Sequence, residues 1–307
     1  MVGPPSILTS LLPVFLIIIS GFIFKKSGFP GDDFWPGTER IVYYFLYPAL
    51  LFSSSAAASW EFFSVASMVW AVLAAMFVMS GLLLLLRSRL SQNDPSFTSV
   101  FQGSLRFTSY IGFAAAFALF GDEGLYLTAV FITVTIPVVN ILCVMVLVRY
   151  GGQKRGWDWI FTTVVKNPLV LACLAGMTFN LIGLKLPAMV ENFTTILGRG
   201  SLPLGLLAVG ASLQLSTIRQ GSRELIYACM LKLILMPILM WTSCTLLRVD
   251  SLSTAVAVLF ASLPASPLSY ILAKQLGGDT RLMSSIIAVQ TCLSIITLPI
   301  VIALVTG

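Results

Sequence analysis

The side chains best suited to chemistry in this sequence are a few basic and hydroxyl residues inside long apolar stretches. Arg106 and Lys232 lie well inside such stretches, and Thr108, Ser109 and Ser266 stand beside Arg106 or at a comparable point later in the chain. An ionisable residue within a membrane segment usually faces a cavity or a partner, because lipid does not solvate its charge. These residues therefore predict a positively charged site that binds an anion.

Two prolines predict an interruption of the helical backbone near Ser266. Pro264 and Pro267 flank Ala265 and Ser266, and prolines three positions apart remove backbone donors and oppose a continuous helix. A serine followed by a proline is also a frequent helix start, with the serine as N-cap. We therefore expect a half-helix to begin at Ser266 inside the membrane.

A second interruption is expected between Arg106 and Gly112, where two hydroxyl residues, Thr108 and Ser109, and the glycine allow the backbone to open without a proline. Irregular backbone in a membrane is tolerated only where it is buried in protein or lines a cavity. The free amides and the dipole at a half-helix N-terminus attract negative charge. The two interruptions together predict one anion site near the midplane.

Membrane-spanning helices must position these residues. Apolar residues make up 58% of the 307 residues, charged residues make up 10%, and the mean hydropathy is +0.97, which excludes an ordinary soluble domain. A helix needs about 20 apolar residues to cross a bilayer, and this length predicts an all-α polytopic protein with ten spans. Their approximate bounds are 6–24, 38–58, 64–86, 98–120, 125–148, 160–183, 191–214, 225–247, 252–275 and 282–305.

Polar residues within the spans complete the set of candidates. No acidic residue lies in the middle of spans 4 or 9, so coupling to a cation through a midplane carboxylate is not supported. Transport could still be coupled to a cation through backbone carbonyls or through the side chains of Asn140 and Gln290. Glu39 stands at the start of span 2, where a carboxylate offsets the helix dipole, and Arg40 is expected to snorkel. The candidate substrate-binding residues are Arg106, Thr108, Ser109, Tyr110, Gly112, Asn140, Lys232, Pro264, Ala265, Ser266, Pro267 and Gln290.

The composition argues against catalysis, metal binding and nucleic-acid binding. The sequence has no histidine, and its five cysteines lie in apolar runs without paired short spacing, so no metal site, cofactor or disulfide framework is expected. The basic residues stand at span ends rather than in one patch, which argues against a nucleic-acid surface. An intramembrane enzyme would have to rely on Lys232 with a serine, the only conceivable dyad.

Lysines and arginines are distributed unequally between the two sides of the predicted spans. Basic residues in short loops stay in the cytoplasm. One side holds only Lys185 and Arg248, so both termini, which lie on that side, are expected outside the cell membrane. The other side holds Lys25, Lys26, Arg87, Arg89, Arg149, Lys154, Arg155, Arg219, Arg223, Lys274 and Arg281.

Recurring prolines and short motifs indicate an internal duplication. Pro13 and Pro168 have the same separation as Pro48 and Pro203, and the motif Ser-Tyr-Ile at 109–111 recurs at 269–271. Because each half holds five spans, an odd number, the second half must insert upside down relative to the first. We expect two inverted repeats, at residues 1–150 and 151–307, with interrupted spans 4 and 9 crossing at the midplane.

Several motifs resemble those of the auxin efflux carrier family of permeases. They are Gln102–Gly112, the run ending Pro-Val-Val-Asn at 137–140, LPLGLLAVGASL from Leu202, and Leu272–Asp279 followed by Gln-Thr at 290–291 and Leu-Pro at 298–299. The resemblance runs through nearly the whole chain. It implies an inverted-repeat fold related to bile acid and sodium symporters. It also implies a homodimer built on a scaffold of spans 1, 2, 6 and 7, with spans 3–5 and 8–10 moving as a transport unit.

Two differences from the family pattern bear on the substrate. Many relatives have asparagine where this chain has Thr108, and the plant exporters have a proline at the span 4 crossing that is absent here. The long central hydrophilic loop of many plant exporters is also missing, which makes the chain similar to compact bacterial members and implies the bacterial inner membrane. Known family substrates are organic acids, namely indole-acetate in plants and malate or malonate in some bacteria.

The sequence thus predicts a secondary transporter, surrounded by membrane lipids, that moves a small organic anion by elevator-type alternating access. The basic midplane favours export driven by the membrane potential without an obligatory coupling ion. The alternative is a sodium- or proton-coupled symporter that imports an amphipathic organic acid.

Overall fold

The structure, a computed structural model, describes residues 4–56, 62–151, 168–183, 186–213 and 223–306. These residues form an all-helical protein, and no strand occurs among them. The predicted all-α class is therefore confirmed for this part of the chain. Four of the basic residues that carry the expected orientation lie outside the described ranges, namely Lys154, Arg155, Lys185 and Arg219.

Fourteen α-helices occur among the described residues. They are α1 (Pro4–Lys26), α2 (Phe34–Ile41), α3 (Tyr47–Ala56), α4 (Phe62–Leu85), α5 (Arg87–Leu90), α6 (Asp94–Leu105), α7 (Ser109–Tyr150), α8 (Pro168–Leu181), α9 (Ala188–Ala211), α10 (Arg223–Met230), α11 (Met236–Leu246), α12 (Ser251–Ala261), α13 (Leu268–Leu276) and α14 (Thr280–Thr306). A π-helical segment, Val42–Leu46, joins α2 to α3, and a second one, Leu231–Leu235, joins α10 to α11.

Several of the described helices are long and apolar enough to cross a membrane. Helices α8 and α12 are apolar but shorter. Helical residues occur within each of the ten predicted spans, although residues 160–167 of span 6 lie outside the described part. The chain is a polytopic membrane protein, and ten crossings in two inverted halves remain a prediction. Within the described residues, six stretches meet the length and hydropathy of a span: Ile7–Lys26, Ala66–Leu85, Asp94–Tyr150, Ala188–Ala211, Arg223–Leu246 and Thr280–Thr306.

Local signals explain where helices of the first half begin and bend. Asn93 precedes α6, and its side-chain oxygen accepts the backbone N–H of Ser96 at 2.9 Å, which is the usual N-cap interaction. Gly121 has φ 60° and ψ −145° and divides α7 into two helical pieces, because a residue without Cβ adopts this conformation at little cost. The first piece of α7 therefore belongs to predicted span 4 and the second to predicted span 5.

Glycines bring α1 and α9 into close contact. Gly21 of α1 lies against the backbone of Leu207 in α9, and Gly210 of α9 lies against the backbone of Ile18 in α1. Any side chain at either glycine would collide with the facing helix. Small residues at such positions are usual where membrane helices pack closely, and they make α1 and α9, which come from spans 1 and 7, a tightly packed pair.

Two interruptions divide the helices that correspond to spans 4 and 9. The first lies between α6 and α7, where Arg106 and Thr108 are extended, with ψ of 154° and 102°. It is shorter than expected, because Gly112 lies inside α7. The second separates α12 from α13, and Pro267 rather than Ser266 occupies the N-cap position of α13. The predicted start at Ser266 is thus displaced by one residue.

Candidate anion site

Thr108 joins the two interruptions by hydrogen bonds. Its backbone N–H donates to the carbonyl oxygen of Pro264 at 2.9 Å, and its hydroxyl donates to the carbonyl oxygen of Ala265 at 2.9 Å. Carbonyls that no longer take part in a helix must find donors when they are buried. Thr108 supplies these donors, so the irregular segments of spans 4 and 9 meet at one point.

Arg106 lies beside this contact, at the C-terminal end of α6. Its side chain is 7% exposed, and its Nη1 donates to Oδ1 of Asn140 on α7 at 2.8 Å. Its Nε has no hydrogen-bond partner, and no carboxylate of the described residues forms an ion pair with it. A buried guanidinium with unused donors is costly unless an anion completes its surroundings.

A cavity of ≈ 540 Å³ begins at these residues. It lies between α2, α8 and α9 on one side and the interruptions, α7 and α13 on the other, and it extends toward the side of the molecule that holds the α1–α2 connection. The predicted site residues that line it are Arg106, Thr108, Ser109, Tyr110, Asn140, Ser266 and Pro267.

The N-terminal ends of α7 and α13 both meet this cavity. Ser109 and Tyr110 form the first turn of α7 and line the cavity, as do Pro267 and Leu268 at the start of α13. The first amides of a helix have no partner within the helix. The hydroxyl oxygen of Ser266 accepts the Leu268 N–H at 3.3 Å, so α7 offers more free amides to a ligand than α13 does.

Four other candidates lie behind the cavity wall. Gly112 packs against the ring of Phe260, and Pro264 and Ala265 bond to Thr108 through their carbonyls. Gln290 accepts the Ala265 N–H at 2.9 Å and donates to the carbonyls of Gly103 at 3.1 Å and Ala228 at 3.0 Å. Its amide is therefore occupied by three separate backbone segments and holds the second interruption in place.

Lys232 is the remaining candidate, and it also lies outside the cavity. It belongs to the π-helical segment Leu231–Leu235 and is 1% exposed. Its Nζ lies 5.9 Å from the ring centre of Phe107, and Phe107 itself lines the cavity. Lys232 can thus contribute a positive field from behind Phe107, without direct contact with a ligand in this arrangement.

The N-terminal half of span 2 supplies cavity residues that the sequence does not single out. Glu39, Arg40, Tyr43 and Tyr44 line the cavity, whereas the sequence assigns Glu39 to the helix dipole and Arg40 to the membrane surface. Glu39, Tyr43 and Tyr47 follow one another at intervals of four residues, which places side chains on one face of a helix. This polar and aromatic stripe is the signal that could have identified Glu39 and Tyr43 as cavity residues.

An aromatic stack connects span 2 to the first interruption. The rings of Tyr47 and Tyr110 lie 4.7 Å apart with an interplanar angle of 10°, and Phe113 stacks on Tyr47 from α7 at 5.1 Å. Tyr47 is fully buried. The stack fixes the ring of Tyr110 at the cavity wall.

The comparisons with known proteins agree with a cavity of this kind inside a membrane protein. The family described as "Membrane transport protein" matches residues 6–156 and 160–302. An uncharacterized transporter of Methanothermobacter thermautotrophicus is 26% identical over 95% of this chain and 96% of its own length. A putative malonate transporter of Rhizobium meliloti is 24% identical over 94% of this chain and 92% of its own length.

A plant relative matches over a shorter region. Auxin efflux carrier component 8 of Arabidopsis thaliana is 28% identical over 40% of this chain and 35% of its own length. The apolar helices, the cavity with the buried Arg106 in its wall, and these matches define a membrane transporter. The chain belongs to the auxin efflux carrier family of membrane transport proteins.

Proposed function

We propose that this protein is a secondary carrier that moves a small organic anion, of the carboxylate class, across a cell membrane. The observation that carries the proposal is Arg106: a buried guanidinium that lines the cavity, donates to the neutral side chain of Asn140, forms no ion pair with a described carboxylate, and keeps Nε without a partner. A carboxylate can form the charge-assisted hydrogen bonds that these donors lack. The name of the malonate transporter among the relatives supports the same class of substrate.

The first amides of α7 add to this site. Helix N-termini carry partial positive charge and free donors, and Ser109 and Tyr110 bring them to the same cavity as Arg106. Glu39, the acidic residue of the cavity wall, lies on α2 rather than at the interruptions. The charge near Thr108 is therefore positive, which favours an anion at that end.

For the architecture we propose ten spans in two inverted halves, 1–150 and 151–307, with elevator-type movement. The cavity supports this because its two walls come from the two groups of spans that the family resemblance implies. Helices α2, α8 and α9 belong to the scaffold, and the interruptions, the second piece of α7 and α13 belong to the transport unit. We further propose a homodimer in the bacterial inner membrane with both termini outside, so that the cavity of this structure opens toward the cytoplasm.

The alternative is a sodium- or proton-coupled symporter of an amphipathic organic acid. Asn140 and Gln290 are the two side chains considered for cation coupling, and both have protein partners. Gln290 is bonded to three backbone segments, and Asn140 accepts a hydrogen bond from Arg106. This occupancy favours the uncoupled carrier.

A flux measurement in liposomes tests the proposed mechanism. Liposomes loaded with malonate, with a potassium gradient and valinomycin to set the voltage, should release it faster when the voltage favours outward movement of negative charge. A potential of 100 mV contributes about 2.3 kcal/mol per charge, enough for roughly a fifty-fold gradient. Liposomes with the Arg106→Ala variant serve as the control. Flux that ignores voltage and requires sodium or a pH gradient would support the symporter instead.

A further inference from the structure

The carboxylate of Glu39 has no cation beside it. Glu39 is partly buried in the wall of the cavity. The ion pairs of the described residues are Lys25 with Asp32 and Arg87 with Asp94, and Glu39 takes part in neither. A carboxylate that has lost part of its water within a membrane protein needs a counter-charge or a donor to offset that loss.

The charged residues nearest to Glu39 are engaged elsewhere or exposed. Lys25 attracts Glu39 electrostatically, but its ammonium group forms its ion pair with Asp32, at 2.6 Å. Arg40 is the next residue in the chain and also lines the cavity, yet its side chain is exposed. Among the described residues, therefore, no side-chain cation occupies the position in front of Glu39.

Two tyrosines line the cavity together with Glu39. Tyr43 lies four residues beyond Glu39 in the same span, and Tyr110 lies at the start of α7. The stack on Tyr47 holds the Tyr110 ring in place. A carboxylate combined with aromatic faces is the surface that binds an ammonium group, since the ring faces attract cations and the carboxylate neutralises them.

We propose that this cavity takes a zwitterion, a small amino carboxylate whose carboxylate meets Arg106 and whose ammonium group meets Glu39, Tyr43 and Tyr110. The proposal rests on the proposed anion site at Arg106 and adds a second subsite to it. The volume of ≈ 540 Å³ lies in the range of pockets that enclose ligands larger than a short dicarboxylate. The two subsites stand on different walls, Arg106 at the interruption of span 4 and Glu39 on α2.

Binding of matched ligand pairs to the purified full-length protein tests the second subsite. The probes are leucine with 4-methylpentanoate, 4-aminobutanoate with butanoate, and 6-aminohexanoate with hexanoate, which differ within each pair only by the amino group. We expect at least one amino carboxylate to bind about tenfold more tightly than its partner, the effect of roughly 1.4 kcal/mol. Isothermal titration calorimetry gives both affinities.

Variants of Glu39 and Arg106 separate the possible outcomes. Glu39→Gln should abolish the preference and bind the plain carboxylates at least as tightly as the wild type, because a negative charge is removed from the cavity. Glu39→Asp should keep part of the preference, and thermal unfolding without ligand checks that each variant is folded. Equal affinities within every pair, or a preference that survives in Glu39→Gln, would overturn the zwitterion proposal.

Two further outcomes distinguish this proposal from the one on which it rests. If the amino carboxylates bind no more tightly than their partners at any pH, while plain carboxylates bind the wild type more tightly at acidic pH and this dependence disappears in Glu39→Gln, the residue binds a proton rather than an ammonium group and the zwitterion proposal is wrong. If no ligand of either kind binds, or if binding is unchanged in Arg106→Ala, the anion site itself is wrong. The zwitterion proposal then fails with it.

Discussion

At Arg106, one hydrogen bond to Asn140 leaves the Nε donor of a buried guanidinium unused. Arginine has five donors in a rigid plane, and here the plane lies against a cavity rather than against a carboxylate of the protein. The energetic cost of this arrangement is offset when a ligand anion binds. The residue is therefore suited to recognition more than to stability of the fold.

Replacement of Arg106 should weaken anion binding with little loss of folded protein. Arg106→Ala removes a charge-assisted contact worth about 1.5 to 3 kcal/mol, which corresponds to a loss of affinity of roughly 10- to 100-fold. Arg106→Lys should retain part of the affinity, because it keeps the charge but not the planar fork. Calorimetric titration of malonate into each purified variant measures the effect. Unchanged affinity in well-folded Arg106→Ala protein would show that Arg106 stabilises α6 and does not bind the anion.

Sequence patterns locate some of these residues and miss others for physical reasons. Ser266 is visible because it precedes a proline, and Thr108 is visible because it stands beside a second hydroxyl residue, Ser109, a few positions before Gly112. The role of Gln290 is not visible, since its three partners come from segments far apart in the chain. Glu39 at a helix start has a sufficient local explanation in the helix dipole, and only its position in the wall of the cavity that α7 and α13 also line gives it a second one.

At the scale of elements, the second interruption depends on more than its two prolines. Pro264 and Pro267 remove backbone donors from the middle of span 9, and Thr108 and Gln290 then bond to the freed carbonyl and amide groups. The first interruption has no proline and relies on these same contacts for its partners. The two openings of the backbone thus stabilise each other.

Replacing both prolines should restore helix at the expense of transport. In Pro264→Ala/Pro267→Ala the backbone donors return, so helix can extend across the gap and withdraw the carbonyls from Thr108. We expect transport in liposomes to fall to background while expression and membrane insertion persist. The matched control is Pro13→Ala, which alters an exposed proline inside the uninterrupted helix α1. Normal transport by the double variant would show that the opened backbone is not required.

The apolar runs and the turn and cap residues between them predict most helix positions, but not the π-helical segments. Asn93 and Gly121, which cap α6 and divide α7, fall in the gaps between the predicted spans 3, 4 and 5. Val42–Leu46 and Leu231–Leu235 carry no such marker, because a π-helical turn shifts the register of a helix without a characteristic residue. The shift affects which way Lys232 points, so its placement required the structure.

At the scale of the whole molecule, the cavity lies on the side of the α1–α2 connection, where Lys25 and Lys26 end α1. The unequal distribution of basic residues predicts that this side faces the cytoplasm. The described cavity would then correspond to a carrier that loads from inside the cell, as an exporter must.

Cysteine labelling on intact cells tests this orientation. The background is Cys292→Ser, because Cys292 is exposed while the other four cysteines are buried. A membrane-impermeant thiol reagent should label Asp122→Cys, near the bend of α7, on intact cells. It should label Gln92→Cys, between α5 and α6, only after the cells are permeabilised. The reverse pattern would invert the protein in the membrane and turn the cavity toward the outside.

The flat stack between Tyr47 and Tyr110 bears on how fast a carrier of this kind could move the cavity from access on one side of the membrane to access on the other. Their ring planes are inclined by only 10°, so a displacement of Tyr110 parallel to the rings slides one face over the other without first separating them. The stacking itself is worth about 0.5 to 1.5 kcal/mol, which slows a unimolecular step by roughly tenfold at most. The stacking of these two rings therefore does not by itself account for a slow step in a transport cycle.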